Sequence, residues 1–307
     1  SPLSPLSPLT SADDVSSVPT HTSASASAGH VVTPTTCDGP AVPQVAGFHE
    51  VVIECPGPHH RLADLTVTEI ARVVKAWQLR VGQLTADRRL KSVVIFRNEG
   101  YNAGASLPHC HSQILATDFL PQQTQLRIQR AVAYQQSSGK CLFQDAFEAD
   151  VGDGRRVVAE DESLVAVCPF AGRVPWQLRL VPKSAATAAL SFAEAPLAEI
   201  VAVAGLLKRL LSALQTAGGP PDHNLVLQLP PTDRPGLFPW HLDVLPRSSR
   251  IAGYELATDV DILTLPPEIA ADRLRDSLTY QDADAYHSVT DIVPAGFRWA
   301  LTESTDL

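Results

Sequence analysis

Residues 98–113 read NEGYNAGASLPHCHSQ, with His109, His111 and Gln113 at alternate positions after a loop that holds Gly100, Gly104 and Ser106. Successive side chains of an extended chain point to opposite faces. A strand over 109–115 therefore puts these three polar groups on one face and Cys110, Ser112 and Ile114 on the other. Neighbours on such a face stand about 6–7 Å apart by the strand rise, which makes a cluster of polar groups rather than a core stripe. Glycines permit the unusual dihedrals that bring backbone amides together. A nest of amides beside Asn98 and Ser106 suits phosphate oxygens. A neutral imidazole next to a held phosphate is a competent nucleophile, because its pKa lies near working pH. A lone histidine on such a face is more often an ordinary surface group; the whole string together favours chemistry.

The elements that must hold this string can be read from periodicity. HEVVIEC (49–55) reads as a strand ended by PGPHH, and DLTVTEIARVVKAWQLRVGQL (64–84) has helical spacing with Thr66 or Thr68 as its cap. KSVVIFRN (91–98) and SQILATDF (112–119) read as strands, and QTQLRIQRAVAYQQSSGK (123–140) as an amphipathic helix. The second half repeats the order, with strands SLVAVCPF (163–170) and WQLRLVPK (176–183), a long helix over about 192–217, then HNLVLQLPP (223–231) and FPWHLDVLPR (238–247). The pairing of SVVIFRN…PHCHSQIL with NLVLQLPP…PWHLDVLP suggests an internal duplication. The expected class is α+β: two units, 47–155 and 156–280, each an antiparallel sheet with helices. A doubly wound sheet would also alternate strands and helices, but no glycine fingerprint links a strand to a helix here.

Composition narrows the function. At 307 residues and 45% apolar, the chain can fill a sizeable core. A formal charge of −9 argues against a broad nucleic-acid surface or a polybasic membrane surface. No apolar run approaches the roughly eighteen residues of a membrane span. Five scattered cysteines without a CxxC do not form a disulfide framework, which favours a reducing, cytoplasmic setting. Residues 1–46 begin with SPL three times and continue in Ser, Thr and Ala, without the basic start or apolar stretch of a signal peptide. Disorder is expected over 1–30, with 31–46 poorly defined and 281–307 a tail. The chain has no methionine, so its natural start is expected to be missing, processed or replaced.

NEGYNAGASLPHCHSQI resembles the active-site segment of the galactose-1-phosphate uridylyltransferase family, in the histidine triad superfamily. The family's approximate pattern, N-x-G-x-x-x-G-x-S-x-x-H-x-H-x-Q, is matched by Asn98, Gly100, Gly104, Ser106, His109, His111 and Gln113. PWHLDVLPRSSRIAGYELATDVDILTLPPEIAADRLR (239–275) is similar to the family's C-terminal block, and GFHEVVIECPGPHHRLADL (47–65) to its approach to the first long helix. The resemblance implies that His111 attacks the α-phosphorus of UDP-glucose, expels glucose 1-phosphate, and passes UMP to galactose 1-phosphate. It implies that Gln113 holds a phosphoryl oxygen and that Asn98, Gly104 and Ser106 position the nucleotide. A close variant takes ADP-glucose with phosphate as acceptor. Two other classes stand beside it. The first is a histidine triad hydrolase, which Gln113 in the third place argues against. The second is a nucleotide-binding protein without activity.

The pattern is broken in places. In members that carry zinc, His109 is a ligand together with a histidine before the first long helix, here His59 or His60, and a CxxC, of which only the lone Cys37 remains. Three suitable ligands are the minimum, so His109 and His60 are candidates in an incomplete zinc site. The iron site of some members is expected to be lost, its equivalents here being Gln228, Pro239 and His241. The family's N-terminal segment supplies arginines to the sugar phosphate, in some members across a dimer, so a homodimer is an expectation. The first sixty residues here contain none, which leaves Lys183, Arg247 or Arg250 for that contact. Ser112 stands where the family has glycine, facing away from the site.

Overall fold

The computed structural model describes residues 46–58, 61–107, 109–183, 191–248 and 251–279. The disorder expected over 1–30, the tail 281–307 and His60 lie outside the described residues.

The first half begins with strand β1 (Gly47–Pro58), helix α1 (Val67–Thr85), and strands β2 (Ser92–Glu99) and β3 (His109–Thr117). Helices α2 (Gln122–Ser138) and α3 (Leu142–Asp153) follow. The second half has β4 (Val157–Glu160), β5 (Leu164–Val167), β6 (Leu178–Pro182), helix α4 (Leu197–Thr216), β7 (His223–Gln228) and β8 (His241–Pro246). Helices α5 (Gly253–Thr258) and α6 (Pro267–Thr279) come last. All the strands pair antiparallel in one sheet of order β1-β3-β2-β7-β8-β6-β5-β4.

The expected duplication is visible in that order. β1-α1-β2-β3 in the first half corresponds to β6-α4-β7-β8 in the second, and the two histidine-triad-like units join edge to edge where β2 pairs β7. The α+β reading holds, with the two sheets continuous. Five residue pairs, from Ile95↔Leu227 to Glu99↔His223, make the seam.

Helix α1 forms where its period requires. Thr66 caps it: its hydroxyl accepts from Glu69 N at 3.2 Å, and Glu69 Oε2 accepts from Thr66 N at 2.8 Å, which is a capping box. Ile70, Val73, Val74, Trp77, Val81 and Leu84 are buried, while Leu79, also apolar, falls off that face and is exposed. Helices α1, α4 and α6 cover one face of the sheet, where their apolar faces join Ile95, Ile114, Leu178, Leu180, Leu225 and Leu242 in the main core. On the other face Phe147 and Val151 of α3 pack against Val165, Val167 and Val181. Helix α3 was not expected from the sequence. It has no buried residue of its own class to set a period, and is held by partly buried side chains. Among the described residues no helix is long and apolar enough to cross a membrane.

Candidate active site

Strand β3 delivers the alternation that its sequence predicts. Cys110, Ile114 and Ala116 lie in the core, while His109, His111 and Gln113 share the other face. Register is held on both sides: β1 pairs Ile53 with His111 and Val51 with Gln113, and β2 pairs Phe96 with Gln113. The core-side neighbour Ser112 is fully buried, and its hydroxyl accepts from Trp77 Nε1 at 2.8 Å. The residue that departs from the family pattern thus ties the strand to α1.

His111 opens on a cleft of about 440 Å³ lined also by Arg61, Asn98, Gly100, Ser106 and His109. Its Nδ1 lies 2.7 Å from the carbonyl oxygen of His109. A carbonyl only accepts, so Nδ1 carries the proton and Nε2 keeps its lone pair. That is the tautomer a nucleophile needs. His109 turns its Nδ1 back on the Cys110 carbonyl at 3.3 Å.

The loop between β2 and β3 is shaped by two glycines. Gly100 has φ +89°, and a Cβ there would stand 2.0 Å from Asp222 Oδ1; Gly104 has φ +78°. The expected amide nest is modified by the loop's own hydrogen bonds. The amides of Ala103 and Ala105 donate to Gly100 O, Gly104 N donates to Tyr101 O, and Asn102 N donates to Asp222 Oδ2 at 2.9 Å. These four amides are thereby taken up in holding the turn, while Asn98 and Ser106 line the cleft. Asn98 is oriented from the second half: Asn224 Nδ2 donates to Asn98 Oδ1 at 2.8 Å and to Ala103 O at 2.9 Å. With its carbonyl taken, Asn98 has its NH₂ end left for the cleft.

Beneath the site, on the core side, lies a buried ion cluster. Arg97 Nε donates to Glu54 Oε2 at 2.8 Å, Nη1 to Glu99 Oε2, and Nη2 to Cys110 Sγ at 2.8 Å. Glu99 also accepts from Leu62 N at 2.9 Å. Burial works against the Arg97 charge, but Glu54 and Glu99 outweigh it and hold the guanidinium above its usual range. Burial pushes the Cys110 thiol up to about 12, opposed by Arg97 and reinforced by Glu54. Cys110 is therefore a thiol that donates to Glu54 at 3.2 Å, not a thiolate ligand.

Metal ligation finds a poor fit among the described residues. No three His, Cys, Asp or Glu side chains converge on a point there, and His109 is the one zinc candidate among them. At the position expected for iron, Gln228 Oε1 accepts from Arg127 Nη1 at 3.0 Å, and Arg179 donates to Asp243 at 2.7 Å beside His241. Guanidinium groups sit where a cation would have to. His241 Nδ1 donates to Pro239 O at 3.1 Å, and its Nε2 lies 3.9 Å from Asp243 Oδ2. Burial, and after it the nearby Arg179, pushes the His241 pKa down to about 4 against the pull of Asp243. It is a neutral structural histidine.

The cations suggested for a sugar phosphate are distributed differently. Lys183 pairs with Glu160 at 2.7 Å on the side of β8 away from β3 and does not reach the cleft, because β6 ends among the strands of the opposite edge. Arg247 lies near the loop, its amide on Asp222 O at 2.8 Å; Arg250 is outside the described residues. Two arginines line the cleft: Arg97, paired with Glu54 and Glu99, and Arg61, whose side chain is 40% exposed and 4.0 Å from Asp222. The local sequence of Arg61 does not single it out. His49 of β1, Asp222 just before β7 and Asn224 of β7, which touch the motif, were also missed. No spacing along the chain links them to residues 98–113.

Comparison with known proteins fits this geometry. Residues 38–121 match the family model for the N-terminal domain of galactose-1-phosphate uridyl transferase. The chain is 29% identical over 244 residues to an ADP-glucose phosphorylase of Arabidopsis thaliana, which covers 76% of this chain and 66% of that one. It is 31% identical over 148 residues to a galactose-1-phosphate uridylyltransferase of Thermotoga maritima, covering 48% and 46% of the two chains. It thus spans less than two thirds of the length of either relative. A solved uridylyltransferase structure superposes with a TM-score of 0.69 at 25% identity, over 76% of this chain and 77% of that one. With its histidine string on the strand and beside the loop that the motif requires, the chain is similar to the galactose-1-phosphate uridylyltransferases in sequence and in fold.

Proposed function

We propose that this protein is a nucleotidyltransferase that moves UMP from UDP-glucose to galactose 1-phosphate, or to another hexose 1-phosphate, through a uridylyl-histidine. The observation that carries the reading is the His111 Nδ1 bond to the His109 carbonyl, which leaves Nε2 as a lone pair beside a cleft of donors. In the first step Nε2 attacks the α-phosphorus. The N–P bond forms, the bond from that phosphorus to the bridging oxygen breaks, and glucose 1-phosphate leaves. The positive charge that develops on the ring is shared through Nδ1–H with the carbonyl already in place. Gln113, Asn98 and Ser106 supply donors to the phosphoryl oxygens. In the second step an oxygen of the acceptor's phosphate takes the phosphorus and frees Nε2.

The reading in which ADP-glucose is the donor and phosphate the acceptor is favoured by one observation: the Arabidopsis relative that matches 76% of this chain is named an ADP-glucose phosphorylase. Incubation with UDP-glucose or ADP-glucose followed by intact mass separates the two. A UMP adduct, absent in His111→Gly, is the expected result; an AMP adduct alone selects the second reading, and no adduct with either overturns both. The homodimer expected from the family belongs to the same proposal and is tested by sedimentation velocity.

A further inference from the structure

The donors around His111 are of use only if their amides face the right way. Gln113 stands two residues from His111 on the same face of β3, and its Oε1 lies 2.9 Å from Nε2 of His49. His49 belongs to β1, whose Val51 pairs with Gln113, so His49 reaches it diagonally across the strands. Resting on the function proposed above, we propose that His49 is a positioning residue: its Nε2–H holds the Gln113 carbonyl and so turns the Gln113 NH₂ toward the phosphoryl group carried by His111.

A glutamine side chain ends in two groups of nearly equal size, and its last torsion is broad, so packing alone does not choose between them. With the carbonyl inward, Gln113 would set a lone pair against phosphoryl oxygens; with the NH₂ inward, it donates to them. A neighbour that donates decides the matter. Neutral His49 donates from Nε2 in only one of its two tautomers; in the other, Nε2 would accept and draw the NH₂ to itself. The His49 tautomer and the Gln113 orientation are thus a single choice. The site repeats the device at Asn98, whose carbonyl is held by Asn224. His49 is exposed on the edge strand of the sheet, outside the core. Its substitution is therefore expected to spare the fold.

The test is a cycle of His49→Leu, His49→Gln, Gln113→Ala and the His49→Leu/Gln113→Ala double variant, read as single-turnover adduct formation at saturating nucleotide sugar. His49→Leu should slow that step about 10-fold, part of the loss expected when one charge-stabilising donor is removed. Apparent affinity and melting temperature should hardly change. His49→Gln, which keeps a donor, should recover most of the rate. In the Gln113→Ala background His49→Leu should do nothing more, because the amide it acts through is gone. A wild-type rate in His49→Leu, or additive losses in the double variant, overturns the proposal. A second reading does not depend on turnover: ¹⁵N NMR of the ring nitrogens reports where His49 carries its proton. The Nε2–H form with a Gln113 amide shift that changes in His49→Leu is expected, and the Nδ1–H form overturns the proposal. If neither UDP-glucose nor ADP-glucose labels the wild type, the assigned function falls, and the NMR pattern alone decides whether His49 holds the amide.

Discussion

Strands β3 and β8 carry the same phrase in two settings. His111 and Gln113 on one correspond to His241 and Asp243 on the other, and both histidines donate Nδ1–H to the carbonyl two residues earlier, at 2.7 and 3.1 Å. The backbone therefore selects the same tautomer twice. The surroundings differ. On that face of the sheet, helices α2 and α3 close over the second half, with Phe143 against Phe238 at 4.9 Å and Arg127 on Gln228. Val51, Ile53 and Leu115 in the first half stay more than a third exposed. His241 is shut in with Asp243 and Arg179, while His111 lines a cleft. The core sides differ as well: Trp240 packs on Phe192 at 5.1 Å, whereas Cys110 rests on the Arg97 cluster. Both histidines are buried, at 5% and 7% exposure, so strand geometry sets the same tautomer in each and the groups beside them make the difference on which the proposed role of His111 rests.

The comparison can be broken most sharply at the two histidines. His111→Gly should abolish nucleotidyl labelling with little loss of stability, and His241→Gln should label like the wild type; intact mass after incubation with the nucleotide sugar reads both. The supports beneath the strands come next. Arg97→Met strands Glu54 and Glu99 as buried carboxylates and should cost about 3–5 kcal/mol in urea unfolding. Gln113→Ala should slow labelling by about 10²–10³ in stopped single-turnover assays. If it is without effect, Gln113 is no more a catalytic group than Asp243.

A pH titration separates the two histidines again. The folded pKa of His241 lies at about 4, below the ordinary value of about 6.5, so between these the unfolded chain binds a proton that the native state refuses. Its contribution is fully present above about 6.5 and falls as pH drops toward 4, by about 3 kcal/mol in all. His223, also pushed down by burial, adds in the same direction. Denaturant melts at neutral pH and near pH 4.5 should show the loss, and His241→Gln should reduce it. The smallest effect is at the strand's anchor: Ser112→Ala leaves Trp77 Nε1 without its acceptor and should lower stability by about 1–3 kcal/mol, with the chemistry retained.

Much of this was legible in the chain because it is local. The period of 2 over 109–115 and of 3.6 over 64–84 places side chains on faces whatever the rest of the molecule does. The HCHSQ string, the Thr66 cap and the repeated helix–strand–loop–strand order could therefore be read directly. Helix α3 could not, since its apolar residues lack a clean period and need the valines of β5 and β6 to hold them.

The sequence by itself determined the face that His109, His111 and Gln113 share and the glycines of the preceding loop, because each follows from chain stereochemistry within a few residues. The tertiary structure alone decided which donors stand ready around it. Asp222 and Asn224 reach the loop only because β2 pairs β7, and His49 reaches Gln113 only because β1 pairs β3. Such contacts join residues as far as 126 positions apart. No periodicity along the chain records them; only the register of strands that sequence places far apart sets which hydrogen bonds form.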